Sequence, residues 1–259
     1  MPGVLVSLPL AWFSIVTIGF TSQVNKMSTT MATPTRVAML AYPQFTALDL
    51  IGPHQILASL PGMSVDVVAK TMTPVMSDRQ IVITPTKSFS ECKDDYDILL
   101  VPGGISTHLM VEDAETLAFL ARIGEKAAYV TSVCTGSVIL AAAGLLKGYR
   151  ATSHWAYRAI LADYGAIPNK ARFVVDRNRV TGGGVTAGVD FGLHLAAILR
   201  GSDVAKMIQL VFEYDPKPPF DAGDPERVAP EVLAAAVTRL EPLVTPVREA
   251  GRRFAARNQ

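Results

Sequence analysis

Short, mostly apolar runs recur along the chain and alternate with stretches of helical spacing. The clearest are RVAMLAY (36–42), VDVVAK (65–70), YDILLVPGG (96–104) and AYVTSV (128–133). Strands buried on both faces have this character, whereas strands with one solvated face alternate polar and apolar residues. The pattern therefore predicts an α/β fold, in which a mostly parallel sheet is covered by helices on both faces.

The intervals between these runs supply the predicted helices and two hairpins. Helices are predicted over 46–60, 113–127, 135–146, 154–165, 186–201, 203–214 and 230–257. The segments 74–85 and 171–184 are predicted as β-hairpins. We expect the last helix to be a solvated one, with cations near its carboxyl end, where the helix dipole favours them.

Bulk composition excludes several classes of protein. Of the 259 residues, 49% are hydrophobic and 18% are charged, which fits a globular domain with a core and argues against disorder. The net charge of +1 gives no reason to expect nucleic acid or a stable membrane partner. Cys92 and Cys134 are the only cysteines, and no spacing suits zinc, so we expect a reducing, cytoplasmic setting.

The amino-terminal segment differs from the rest of the chain. Residues 4–20 form an uncharged run of 17 residues, at the lower limit for a membrane span. Three alternatives stay open for this segment: a start assigned too far upstream, a membrane anchor or unusual export signal, and a disordered tail. We expect 1–33 to lie outside the fold, 34–225 to form the catalytic domain and 226–259 to form a helical extension.

Cys134 lies in YVTSVCTGSVIL, between a predicted strand and a predicted helix. A buried structural cysteine is one interpretation. The other is a nucleophile at a tight strand–helix turn, where the amino end of the helix lowers the thiol pKa. Thr135 and Gly136 would then offer N–H groups to a developing oxyanion. The strand–turn–helix pattern favours the nucleophile.

Polar residues follow the other predicted strands at the same edge of the sheet. Gly103 and Gly104 end one strand and could bring backbone N–H groups close to a substrate. Asp49 lies among apolar residues of the first helix, where burial would raise its pKa and make it a general acid; a solvated charge is the alternative. His154 could orient or activate Cys134, or could simply begin a helix capped by Ser153.

Several motifs together carry a family resemblance. FTALDLIGPHQIL, DILLVPGG, YVTSVCTGSVILAAAGLLKG, RATSHWAY and VTGGGVTAGVDFGLHLAA occur in this order. The chain resembles the DJ-1/PfpI family, which is class I glutamine amidotransferase-like, over about residues 36 to 225. The resemblance implies a flavodoxin-like three-layer sandwich, a homodimer, and no metal or organic cofactor.

The resemblance also implies roles for individual residues. Cys134 matches the family nucleophile, Asp49 the acidic residue beside it, and Thr135 the residue after it. Gly103 and Gly104 fall on the oxyanion-side turn, and His154 matches a histidine found near the nucleophile in part of the family.

Within the family, the motifs are most similar to those of the isonitrile hydratases. That similarity implies a lyase that adds water to a small isonitrile, giving an N-substituted formamide through a covalent thioimidate. Two alternatives remain at this stage. One is a glyoxalase-like or amidase/protease-like enzyme that uses the same cysteine, and the other is a non-catalytic ligand or redox sensor related to the sensing domains of AraC-type regulators.

Overall fold

A computed structural model describes residues 35–257. The strands are β1 (Thr35–Leu40), β2 (Met63–Ala69), β3 (Val75–Met76), β4 (Val82–Ile83), β5 (Lys87–Ser88), β6 (Ile98–Val101), β7 (Tyr129–Val133), β8 (Arg150–Ala151), β9 (Ile167–Pro168), β10 (Phe173–Asp176) and β11 (Arg179–Gly182). The four predicted strands and both predicted hairpins are confirmed, with ends that differ by a few residues. The predicted leader, 1–33, lies outside the described residues.

Seven strands form the main sheet, in the order β10–β11–β7–β6–β1–β2–β5. Neighbouring strands are parallel, except for the antiparallel hairpin of β10 and β11. The order reverses at β1, which lies between β6 and β2, so the carboxyl ends of β1, β6 and β7 meet at one edge. Folds of this type bind ligands at such an edge.

Helices cover this sheet and complete the predicted α/β sandwich. They are α1 (Ala47–Leu57), α2 (Thr107–Met110), α3 (Ala114–Lys126), α4 (Gly136–Ala142), α5 (Ala187–Arg200), α6 (Ser202–Val211) and α7 (Pro230–Arg257), with a 3-10 helix at Arg158–Tyr164. α1 packs against α5, and α3 packs against α4. Each of these four helices also contacts a strand of the main sheet, so the apolar strand residues between them form the core.

The helix after Cys134 is shorter than predicted. It ends at Ala142 rather than at residue 146, because Gly144 adopts a left-handed conformation with φ of 79°. The N–H of Gly144 then bonds to the carbonyl of Ala141, and that of Leu145 to the carbonyl of Leu140. This pair of bonds is the Schellman ending of a helix, which glycine favours.

The predicted helix over 154–165 is wrong in its first turn. Residues 155–157 form turns, and only Arg158–Tyr164 is helical, with 3-10 geometry. His154 therefore lies in the segment that leads into the helix, and Ser153 is not its cap. The hydroxyl of Ser153 instead donates to the carbonyl of Cys134 at 3.0 Å.

α7 is the long carboxyl-terminal helix that the sequence predicts, but it is only partly solvated. Val244, Val247, Ala250 and Gly251 are buried where the helix packs against α2 and the 3-10 helix. The boundary at 225/226 between catalytic domain and extension stays a prediction. Among the helices of the described chain, none is both long and apolar enough to cross a membrane.

Replacing Val247 by alanine is expected to destabilise the fold. Val247 is 1% exposed, so the change removes two buried methyl groups and should lower the free energy of unfolding by about 2 kcal/mol. Val237→Ala is the matched control, because Val237 lies on the same helix and is 43% exposed. Denaturant unfolding of both variants measures the effect, and equal stabilities would contradict the packing described for α7.

Candidate active site

Cys134 follows β7 in a strained backbone conformation. Its φ is 58°, in the left-handed region that residues other than glycine seldom occupy. Its N–H donates to the carbonyls of Gly182 and Gly183, and its carbonyl accepts from the hydroxyls of Ser137 and Ser153. Four hydrogen bonds thus hold the turn that carries the thiol, and such stored strain is characteristic of functional sites.

Asp49 lies in the first turn of α1 with its side chain completely buried. The N–H of Gly103 donates to Oδ2 at 3.0 Å, whereas Oδ1 is buried with no ordinary hydrogen bond. The thiol of Cys134, a weak donor, also interacts with this carboxyl group. Burial raises the pKa of Asp49 to about 7, although the Gly103 N–H and the thiol partly offset the rise.

The pKa of the Cys134 thiol is raised, whereas the sequence predicted that the amino end of the helix would lower it. Burial raises the pKa of Cys134 well above its usual value, and the neighbouring Asp49 raises it further. The N–H groups of Val185 and Thr135 hydrogen-bond to the sulfur and lower the pKa only in part. The favourable amino end of α4 is therefore outweighed by loss of water, and the thiol needs a base to remove its proton.

The glycine turn after β6 holds the catalytic candidates together. Gly103 donates to Asp49, and the N–H of Gly104 donates to Thr135 Oγ1 at 3.0 Å. Thr135 Oγ1 also shares a hydrogen bond of 2.7 Å with Thr107 Oγ1. Both glycine N–H groups thus have partners within the protein, and these bonds position Asp49 and Thr135. Oxyanion contact through this turn stays a prediction.

Gly103→Ala is expected to disturb this arrangement. A Cβ at residue 103 would lie 2.6 Å from the backbone nitrogen of Thr135 and 2.8 Å from Cβ of Cys134, so the backbone must shift. We expect the free energy of unfolding to fall by roughly 1–3 kcal/mol, as for other overpacked sites. Gly223→Ala is the control for stability, because a Cβ there meets no atom within 4 Å. If Gly103→Ala kept the wild-type free energy of unfolding and the wild-type turnover, the close contact of residue 103 with Cys134 and Thr135 would be contradicted.

Val185 is a site residue that sequence reasoning missed. Its φ is 24°, unusual for a β-branched residue, and its N–H points to the Cys134 sulfur. The only local signal is the glycine-rich run before it, TGGG, which indicates a tight loop without indicating which N–H is presented. A backbone donor of this kind has no side-chain signature in the sequence.

His154 does not pair with Cys134 in the structure. Its Nδ1 accepts from the N–H of Ala156 at 3.3 Å, and burial lowers its pKa to about 4, so the ring is neutral at pH 7. The ring packs so closely on Gly184 that a Cβ there would lie 2.6 Å from Cδ2. No hydrogen bond therefore supports a role for His154 in activating the thiol. Its ring instead forms part of the wall of a neighbouring cavity.

That wall belongs to a cavity of about 540 Å³, within the size range of small-molecule sites. Its lining includes Ser153, Gly183 and Val185, each of which also contacts Cys134. Over residues 35–257, no three His, Cys, Asp or Glu side chains lie close enough together to hold a metal ion.

Known proteins resemble the chain over most of its length. A curated isonitrile hydratase of Pseudomonas putida is 46% identical over 222 residues, which cover 86% of this chain and 97% of that protein. The crystal structure of a ThiJ/PfpI family protein from Pseudomonas syringae superposes with a TM-score of 0.84 at 45% identity, covering 92% of this chain and 99% of that one.

A more distant relative is the HTH-type transcriptional regulator GbdR of Pseudomonas aeruginosa. It is 30% identical over 192 residues, which cover 70% of this chain and 51% of the regulator. The model of the DJ-1/PfpI family matches residues 35–198, the segment that carries Asp49, the glycine turn and Cys134. The chain therefore belongs to the DJ-1/PfpI family.

Proposed function

We propose that the chain is an isonitrile hydratase, a lyase that converts an isonitrile and water into an N-substituted formamide. The observation that carries the proposal is the buried pair of Cys134 and Asp49, in which one carboxyl group of raised pKa faces one thiol. The similarity to the Pseudomonas putida enzyme over nearly the whole of that protein supports the same activity.

The first step joins the sulfur to the substrate. Asp49 accepts the thiol proton, and the thiolate attacks the terminal isonitrile carbon while the N–H groups of Thr135 and Val185 stabilise the anionic sulfur. Negative charge then develops on that carbon, and Asp49 returns the proton to it. The product is a thioimidate, R–N=CH–S–Cys134, and no net charge has entered the buried site.

Water completes the reaction. It adds to the thioimidate carbon and passes one proton to Asp49 as the C–O bond forms, and Asp49 delivers that proton to the nitrogen, which becomes N–H. The C–S bond then breaks as the new hydroxyl group becomes the carbonyl, and the hydroxyl proton passes through Asp49 to the sulfur, which leaves the formamide R–NH–CHO. One carboxyl group with a pKa of about 7 suits this work, because it can both accept and donate a proton near neutral pH.

The remaining expectations follow from the family. We infer that the enzyme is a cytoplasmic homodimer and that residues 34–225 hold the catalytic machinery. Thr135 would position the turn through its hydrogen bonds to Gly104 and Thr107, and the 540 Å³ cavity would receive the N-substituent of the substrate.

A substrate panel tests the function. Purified protein is incubated with simple alkyl and aryl isonitriles, with methylglyoxal and with peptides, and each product is measured by chromatography. Formamide production is expected from the isonitriles alone. Turnover of methylglyoxal or peptides without any formamide would favour the glyoxalase-like or amidase-like alternative.

The sensor alternative gives a different pattern. The similarity to GbdR motivates it, because that relative is an HTH-type transcriptional regulator. Under that alternative no substrate in the panel is consumed, and Cys134 instead gains oxygen in a peroxide-dependent manner, detected as a mass shift of its peptide.

A further inference from the structure

The cavity beside Cys134 carries more positive than negative charge. Its cationic lining residues are Arg158, Lys170, Arg172 and Arg227. Asp224 is the one carboxylate in the lining, and the neighbouring His154 is neutral because burial lowers its pKa. An anionic ligand in this cavity would pair most readily with a cation that has no carboxylate partner within the protein.

The same cavity is adjacent to the turn that carries the reacting sulfur. Gly183 accepts from the N–H of Cys134 at 2.9 Å, Ser153 donates to the carbonyl of Cys134, and the N–H of Val185 reaches its sulfur. All three residues line the cavity. A substrate whose isonitrile carbon lies at the sulfur therefore has this space available for its N-substituent.

Three of the four cations already have carboxylate partners. The ion pairs are Lys170–Glu226, Arg172–Asp190 and Arg227–Asp221. Arg158 forms no ion pair with any carboxylate of the described chain, although its charge contributes to the low pKa of Asp224. The Asp224 carboxylate itself accepts from the N–H of Glu226 and lies 3.8 Å from Lys170.

Arg158 is also held in place. It begins the 3-10 helix, its N–H donates to the carbonyl of His154, and its side chain is half-buried. Trp155 lines the same cavity and adds an apolar surface. A guanidinium group on a fixed backbone, partly removed from water and without an ion pair, is suited to bind a carboxylate in bidentate fashion.

We propose that Arg158 determines specificity by binding a carboxylate group on the N-substituent, so that the preferred substrates are isonitriles bearing a carboxylate. The proposal rests on the proposed function and names its substrate class. The carboxylate pairs with Arg158, the carbon chain lies along Trp155, and the isonitrile carbon reaches Cys134.

The test compares ω-isocyanoalkanoates of graded chain length with their methyl esters, in which a methyl group takes the place of the negative charge at the far end. For the wild type, kcat/KM is expected to be about tenfold higher or more for the best acid than for its ester, the effect of one charge-assisted hydrogen bond. Arg158→Gln should bring the acid-to-ester ratio close to one, and Arg158→Lys should retain part of it. Arg239→Gln is the control, because it removes the same charge from an exposed position on α7.

The acid-to-ester ratio of kcat/KM distinguishes a failure of this proposal from a failure of the proposed hydratase function. Wild-type protein that hydrates acids and esters equally well, or an Arg158→Gln variant that keeps the preference, overturns the role of Arg158 while hydratase activity stands. Protein that hydrates neither acids nor esters overturns the proposed function and the specificity with it. A similar loss of preference in Arg239→Gln would show a general charge effect and would also contradict the proposal.

Discussion

Replacing Cys134 by alanine is expected to lower isonitrile hydration by about 10⁴-fold or more, to near the uncatalysed rate, because loss of a nucleophile removes the covalent route. No other described thiol can take over. Cys92 is the second free cysteine, and it lies near Tyr96, whose hydroxyl is 3.6 Å from its sulfur, well away from the carboxyl ends of β1, β6 and β7. Formamide release by the variant, followed over hours, measures the loss.

Cys92→Ala provides the matched control for this variant. Both cysteines are buried, at 6% and 5% exposure, so each substitution removes one sulfur from the interior. We expect Cys92→Ala to keep wild-type turnover, since Cys92 has no contact with the site. Substantial hydration by Cys134→Ala, or equal losses in both variants, would contradict a nucleophilic role for Cys134.

Asp49→Asn is expected to lower kcat/KM by about 10²- to 10⁴-fold, the usual contribution of a general acid–base group. Asparagine is nearly isosteric and can still accept from Gly103 N–H, so the turn should keep its shape. It can neither take the thiol proton nor deliver a proton to the isonitrile carbon. Burial would then leave the Cys134 thiol protonated at neutral pH.

The pH profile gives this prediction a distinct signature. When both members of the pair are protonated, Asp49 cannot accept the thiol proton, and the pair loses the first of these protons near pH 7. Wild-type kcat/KM should therefore rise with pH through about 7, and this rise should vanish in Asp49→Asn. A wild-type profile that falls over that range would contradict Asp49 as the base.

Stability supplies a readout that is independent of turnover. Asp49 holds its proton up to about pH 7 in the folded protein, whereas in the unfolded chain it ionises near 3.8. Between these values the folded state binds more protons, so this group's contribution to the free energy of unfolding falls as pH rises. Asp49→Asn should remove that contribution and make stability less dependent on pH across the same window.

The parts of the fold that sequence could predict are those set by burial. Strands such as Ile98–Val101 are apolar at every position because both of their faces are covered, and that pattern is readable without a structure. Their order along the chain also placed Asp49, Gly103 and Cys134 at one edge, as the structure does. The helix end at Gly144 was missed because glycine is tolerated inside helices, and its left-handed conformation leaves no other mark.

The sequence could not predict the features of the site that depend on the hydrogen-bond partners and the burial of each group in the folded protein. The N–H groups of Gly103 and Gly104 are paired with Asp49 and Thr135, which lie 54 and 31 residues away in sequence, and no local pattern indicates these pairings. The direction of the Cys134 pKa shift depends on how completely water is excluded, a property of the packed fold. Conversely, the raised pKa of Asp49 was predictable, because a carboxylate among apolar helix residues indicates burial.

The covalent step is the central claim, and mass spectrometry of acid-quenched single turnovers tests it most directly. Excess protein is mixed with a simple alkyl isonitrile, quenched at successive times and digested. We predict that the peptide containing Cys134 transiently gains the full mass of the isonitrile, as a thioimidate requires, and returns to its original mass as formamide appears. Formamide accumulation with that peptide unmodified at every time, in a reaction that Cys134→Ala also carries out, would contradict the mechanism.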